Sequence, residues 1–158
     1  MATQNLSKYN NVPDASGMRI GIVVAEWNSE ITFSMEDAAM KTLKEHGVKD
    51  SDITLIRVPG SFELVAGAQL LAKTVCPDAV ICIGCVIRGE TPHFDYICQG
   101  VTTGLVQLTI KYEIPFIFGV LTTNNLEQAL DRAGGKHGNK GVEAAVTAIK
   151  MTTLKQIG

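Results

Sequence analysis

The sequence predicts an α/β protein, a three-layer α/β/α sandwich on a four-stranded parallel sheet. Strand-like and helix-like segments alternate along the chain. Each strand-like run is apolar throughout, as expected where helices cover both faces of a parallel sheet. At 158 residues, the chain fits one compact domain with a substantial core.

Residues 1–17 are polar and read as a loose arm, leaving 18–158 as a single domain. "MRIGIVVAE" (18–26) is a buried strand. A helical stripe over 32–46, with Phe33, Met35, Ala39, Met40 and Leu43, stops at His46-Gly47. "DITLIRVPG" is a second strand, ended by Pro59-Gly60, and "FELVAGAQLLAKTV" a second helix ending near Cys76-Pro77. "DAVICIGCVIRG" is the third strand, 92–111 the third helix and "PFIFGVLTT" the fourth strand. A short helix over 125–134, a "GGKHGNKG" loop and a helix over 141–155 complete the chain.

Hydrophobic residues make up 46% of the chain and the formal charge is −2. No basic stripe is present, so neither nucleic acid nor an anionic membrane is an expected partner. The apolar runs are too short to span a bilayer. The polar N-terminus carries no apolar signal core, which makes a cytoplasmic location the expectation.

"CIGC" (82–85) has redox or zinc spacing. A redox pair sits at a helix start, and a zinc site needs a second pair that Cys76 and Cys98 do not provide. Inside a strand, Cys82 and Cys85 point to opposite faces, so the sequence predicts core filling.

Ligands of such sheets bind beyond the carboxyl ends of the strands. The segments there are "EWNSE", "PGSFE", "RGETPHF" and "TTNN". None carries the dinucleotide G-x-G-x-x-G, and "GGKHGNKG" accepts no P-loop pattern and follows a helix. In "IRGETPHFDYICQG", Thr91 suits an N-cap, Pro92 the first helical position and Asp95 the positive helix end. The same turn is a ready anion site, with Gly84 and Gly89 allowing close approach. His93 falls in its first turn, and histidine is the residue type suited to proton transfer near neutrality. Local sequence leaves helix punctuation and chemistry equally open for His93.

"VPGSFELVAGAQLLAK", "CVIRGETPHFDYICQGVTTGL", "PFIFGVLTTNNLEQALDRAG" and "KHGNKGVEAA" together resemble the lumazine synthase family, in order from about Met18 to Leu154. The resemblance implies a flavodoxin-like fold and a transferase of riboflavin biosynthesis. The implied reaction joins 5-amino-6-(D-ribitylamino)uracil to 3,4-dihydroxy-2-butanone 4-phosphate. It gives 6,7-dimethyl-8-ribityllumazine, phosphate and water, with no metal or organic cofactor. Imine formation, phosphate elimination and ring closure are mainly proton transfers between two oriented substrates.

By position, the resemblance makes His93 the proton-transferring residue and Trp27 the aromatic that stacks on the pyrimidine. It gives Ser61, Phe62 and Glu63 to the ribityl chain and ring, and lines the pyrimidine site with Cys85, Val86, Ile87 and Phe118. Glu90 and Thr91 would bind the phosphate substrate through backbone N–H groups, with Arg132 and Lys140 nearby. Taken alone, Glu63 and Arg132 are equally ordinary helix-end charges, Phe118 a core residue, Trp27 an interface anchor and Lys140 a solvated loop residue. Arg88 is left structural.

A ten-residue helix before Arg132 would carry it about 15 Å from the crevice. If Arg132 and His93 meet one phosphate, they come from different subunits, and the monomer is expected to be inactive. The resemblance implies pentamers; the uninterrupted "AGGKHGNKG" connection resembles that of shell-forming members, which implies a 60-subunit icosahedral shell, with riboflavin synthase a further partner. The competing expectations are a non-catalytic flavin- or lumazine-binding module and a receiver-like signalling domain. The latter lacks an acidic cluster, since only Glu26 follows the first strand.

Overall fold

The apolar runs of the sequence become strands in the computed structural model, which describes residues 10–155. The main sheet contains β1 (Ile20–Ala25), β2 (Ile53–Val58), β3 (Ala79–Ile87) and β4 (Phe116–Thr123). All its pairings are parallel, in the order β2-β1-β3-β4. Every residue of β1 is buried, as an apolar central strand requires.

Helices α1 (Ser29–Glu45), α2 (Leu64–Thr74), α3 (His93–Tyr112), α4 (Leu126–Leu130) and α5 (Lys140–Lys155) cover the sheet. Two cores result. Ile31, Met35, Ala39 and Leu43 of α1 and Ala145 and Ile149 of α5 pack with Ile22, Ile81 and Cys85 on one face. Leu64, Ala68 and Leu71 of α2 and Val101 and Leu105 of α3 pack with Val23, Val80 and Cys82 on the other. This is the expected three-layer α/β/α sandwich.

Cys82 is fully buried and Cys85 is 4% exposed, one in each core. Burial pushes the Cys82 thiol up to about 12 and the Cys85 thiol up to about 11. The C-x-x-C spacing is core filling, as the two-residue period of a strand predicts.

Several boundaries move for local reasons. Helix α1 begins three residues before position 32, because Asn28 adopts the left-handed conformation (φ 59°, ψ 43°) and turns the chain directly out of β1. It ends as expected at His46-Gly47, where Gly47 takes φ 101° and Val48 N–H donates to the Leu43 carbonyl at 3.0 Å. The second helix opens with a 3-10 turn, Ser61–Glu63, before α2. Helix α3 starts at His93 with Pro92 as its cap and no side-chain cap bond, so Thr91 is not the N-cap. The Pro92 carbonyl already accepts the Asp95 N–H at 3.0 Å, closing the first turn around the proline.

Helix α4 has only five residues, so the ten-residue helix expected before Arg132 does not form. The "GGKHGNKG" segment is not a plain loop. Strands β5 (Ala133–Gly135) and β6 (Gly138–Asn139) pair antiparallel across it. Of the expected arm, residues 1–9 lie outside the described residues. Residues near its end are docked: Ala15 is fully buried, Val12 packs on the core, and Ala15 N–H donates to the His46 carbonyl at 2.7 Å. Among the described residues, no helix is long and apolar enough to cross a membrane.

Candidate active site

The strand order makes a crevice where chemistry-bearing residues can gather. From β1 the chain crosses to β2 on one side, and from β3 to β4 on the other. Their following helices lie on opposite sheet faces, so the loops beyond the β1 and β3 carboxyl ends diverge. That divergence opens the switch-point crevice of doubly wound sheets.

Trp27 enters from the end of β1. Its backbone N–H donates to the Pro59 carbonyl at 2.9 Å, and the neighbouring Glu26 N–H to the Val58 carbonyl at 2.8 Å. The indole is 67% exposed and lies over Gly60. A flat ring held at its base and open on a face is a stacking platform. The bare Gly60 lets it sit there, since a Cβ would come within 2.6 Å of Cε3.

Ser61, Phe62 and Glu63 follow β2. Glu63 Oε2 accepts the Gly60 N–H at 3.0 Å, which fixes the turn under the indole. Ser61 is buried, and its Oγ contacts the Cys85 carbonyl at 3.5 Å. It reaches there because Gly84 has no side chain; a Cβ on Gly84 would lie 2.6 Å from Ser61 Oγ. Phe62 is 57% exposed and abuts Gly100 of α3. Gly89, by contrast, faces open space, so close packing does not require its glycine.

A second donor converges on the Cys85 carbonyl, Asn28 Nδ2 at 3.0 Å. Asn28 thereby ties the end of β1 to β3 across the crevice, a role the sequence reading missed. Its only signal was an asparagine between a strand and a helix, where left-handed backbone is tolerated. Cys85, Val86 and Ile87 supply the β3 side of the crevice, with Val86 and Ile87 half-buried. Glu90, Thr91 and His93 are exposed on the β3–α3 connection.

Phe118, Arg132 and Lys140 lie elsewhere. They line a groove of about 660 Å³ along the β4 edge, together with Thr123, Glu143 and Met151. None of the crevice residues from Trp27 to His93 lines that groove. Phe118 is 43% exposed, so it is not the core residue that an isolated phenylalanine in a strand suggests. Arg132 Nη1 donates to the Gln128 carbonyl at 2.9 Å, and Lys140 Nζ pairs with Glu143 Oε2 at 2.7 Å. The Lys140 N–H donates to the Arg132 carbonyl at 2.9 Å, so β5 and β6 hold the two cations side by side. One chain thus presents two separate groups of residues, those at the β1, β2 and β3 carboxyl ends and those of the β4-edge groove that includes Arg132 and Lys140.

The fold defines a doubly wound, flavodoxin-like α/β protein with a crevice at its switch point. The family model described as 6,7-dimethyl-8-ribityllumazine synthase matches residues 17–156. The chain belongs to that family. Proteins named 6,7-dimethyl-8-ribityllumazine synthase are similar over nearly their full length. The one from Parabacteroides distasonis is 62% identical over 155 residues, covering 97% of each chain. That from Phocaeicola vulgatus is 55% identical, covering 98% of this chain and 94% of its own. That from Porphyromonas gingivalis is 56% identical, covering 99% and 98%. These names favour the transferase over the non-catalytic binding module.

Proposed function

We propose that this chain condenses 5-amino-6-(D-ribitylamino)uracil with 3,4-dihydroxy-2-butanone 4-phosphate, releasing 6,7-dimethyl-8-ribityllumazine, phosphate and water. Membership of the synthase family over residues 17–156 is the observation that carries this reading. The pyrimidine stacks on Trp27, with Ser61, Phe62 and Glu63 against ring and ribityl chain and Cys85, Val86 and Ile87 along its edge. Glu90 and Thr91 present backbone N–H groups to the phosphate, and His93 moves the protons. Such transfer by a positioned histidine accelerates a step by about 10²–10⁴-fold.

Arg132, Lys140 and Phe118 act on a neighbour's crevice. Their place on the β4 edge supports this, as does the absence of Trp27 and His93 from the lining of the groove they share. Self-association to a pentamer, and onward to a 60-subunit shell, follows from the same reading. Tyr96, Val106 and Ile110 on α3 are large, apolar and exposed, as an unmet interface requires. Riboflavin synthase, which uses the product, is a natural partner. The described cysteines are free thiols, which suits a reducing, cytoplasmic location.

Mixing the two substrates and following lumazine absorbance tests the reaction. Product formation well above the uncatalysed rate is expected, and its absence with folded protein would overturn the reading. Light scattering on the same sample reports the assembly.

A further inference from the structure

The connection carrying Glu90, Thr91 and His93 is closed by its own end residues. Arg88, just beyond β3, donates its backbone N–H to the Thr123 carbonyl at 2.8 Å, anchoring that end to β4. Its guanidinium reaches to the first turn of α3. Nη2 donates to Asp95 Oδ1 at 2.9 Å and Nη1 to Oδ2 at 3.4 Å. The same group lies over the Phe94 ring, 4.1 Å from its centroid. Residues 89–94, the turn and the first two residues of α3, therefore lie between a sheet anchor and a two-pronged ion pair.

The pair is solvent-accessible, with side chains 43% and 60% exposed, so it adds little to global stability. Its planar fork and the stacked ring nevertheless fix direction, which a lone surface ion pair does not. Substrate binding at the β3–α3 turn depends on direction, because the N–H groups of Glu90 and Thr91 must converge on one phosphate.

We infer that Arg88 and Asp95 are a positioning pair for the phosphate half of the reaction. They touch neither substrate and act by holding the Glu90–His93 turn. The inference rests on the reading in which that turn binds the butanone phosphate. The competing role for Arg88 is direct attraction of the phosphate as a free cation. The two roles differ in sign at Asp95. A clamp is weakened by loss of either partner, whereas a phosphate-attracting cation is strengthened when its competing carboxylate is removed.

The test is steady-state kinetics on the assembled protein with both substrates, for Arg88→Ala, Arg88→Lys, Asp95→Asn and the Arg88→Ala/Asp95→Asn double variant. Arg88→Ala and Asp95→Asn are each expected to raise KM for the butanone phosphate about tenfold, a modest share of what misorientation can cost. KM for the pyrimidine stays within about twofold, and the double variant is no worse than the poorer single one. Arg88→Lys recovers only part of the loss, since an ammonium has neither fork nor stacking face. Melting temperatures stay near that of the unaltered protein.

An unchanged or lowered KM for Asp95→Asn overturns the clamp, as do losses that multiply in the double variant. Equal losses for both substrates with a lowered melting temperature overturn it as well, by showing a general structural role. If the unaltered protein makes no product, the functional reading fails. If it turns over normally and the variants are silent, only the positioning role fails.

Discussion

Gly60 lies directly beneath the Trp27 indole, and a Cβ at Gly60 would meet ring carbons Cε3 and Cζ3 at 2.6 and 2.7 Å. The φ of Gly60 is −129°, a value any residue adopts, so its glycine is required by the ring above it and not by the backbone.

Gly60→Ala should therefore fold and yet lose substrate. The exposed indole can swing away, which keeps the stability change small, on the order of 1 kcal/mol. The pyrimidine then loses its stacking surface. Calorimetric titration with the pyrimidine substrate is expected to show affinity reduced about tenfold, comparable to loss of one aromatic stacking contact. Unchanged affinity would remove Trp27 from the pyrimidine site.

His93→Ala should bind both substrates and turn over about 10²–10⁴-fold more slowly. Exogenous imidazole in the assay is expected to restore part of the rate. Wild-type turnover by this variant would return His93 to helix punctuation.

Mixed assemblies separate a shared site from a self-contained one. His93→Ala and Arg132→Ala subunits, unfolded together in equal amounts and refolded, would give roughly a quarter of interfaces with both residues intact if the partners come from different subunits. Activity well above that of either parent is expected. A mixture no better than its parents would place Arg132 and His93 in one chain's site.

The buried thiols make stability fall at high pH. Both are raised from an ordinary value of 9.0 to about 12 for Cys82 and about 11 for Cys85. A raised folded-state value favours the protonated form, so this contribution is fully present below pH 9. It is lost as pH rises through 11 and 12. Melting curves between pH 8 and about 11 are expected to fall less steeply for Cys85→Ala than for the unaltered protein. Parallel curves would show that the thiol does not contribute.

The sheet was legible because its strands are apolar at every position, and the layers followed from the helices between them. The helix starts were less legible. Asn28 sets one through its left-handed backbone angles and Pro92 the other through the carbonyl that accepts the Asp95 N–H, neither of which apolar periodicity encodes. The crevice residues after β1, β2 and β3 could be located from strand ends alone. Arg132 could not, because the helix before it is only five residues long and its guanidinium folds back onto the Gln128 carbonyl of that helix. The pairing of Arg88 with Asp95 was not legible either. Each residue has an ordinary local explanation, and only their pairing in space closes the turn between them.

The two buried cysteines have one more consequence. Cys82 belongs to the core under α2 and α3, and Cys85 to the core under α1 and α5, three residues apart on one strand. A thiol reagent added under native conditions can reach each only when its own layer opens. The chain thus carries a matched pair of internal reporters. Their labelling rates, equal or unequal, tell whether the two halves of the sandwich breathe as one cooperative unit or as two.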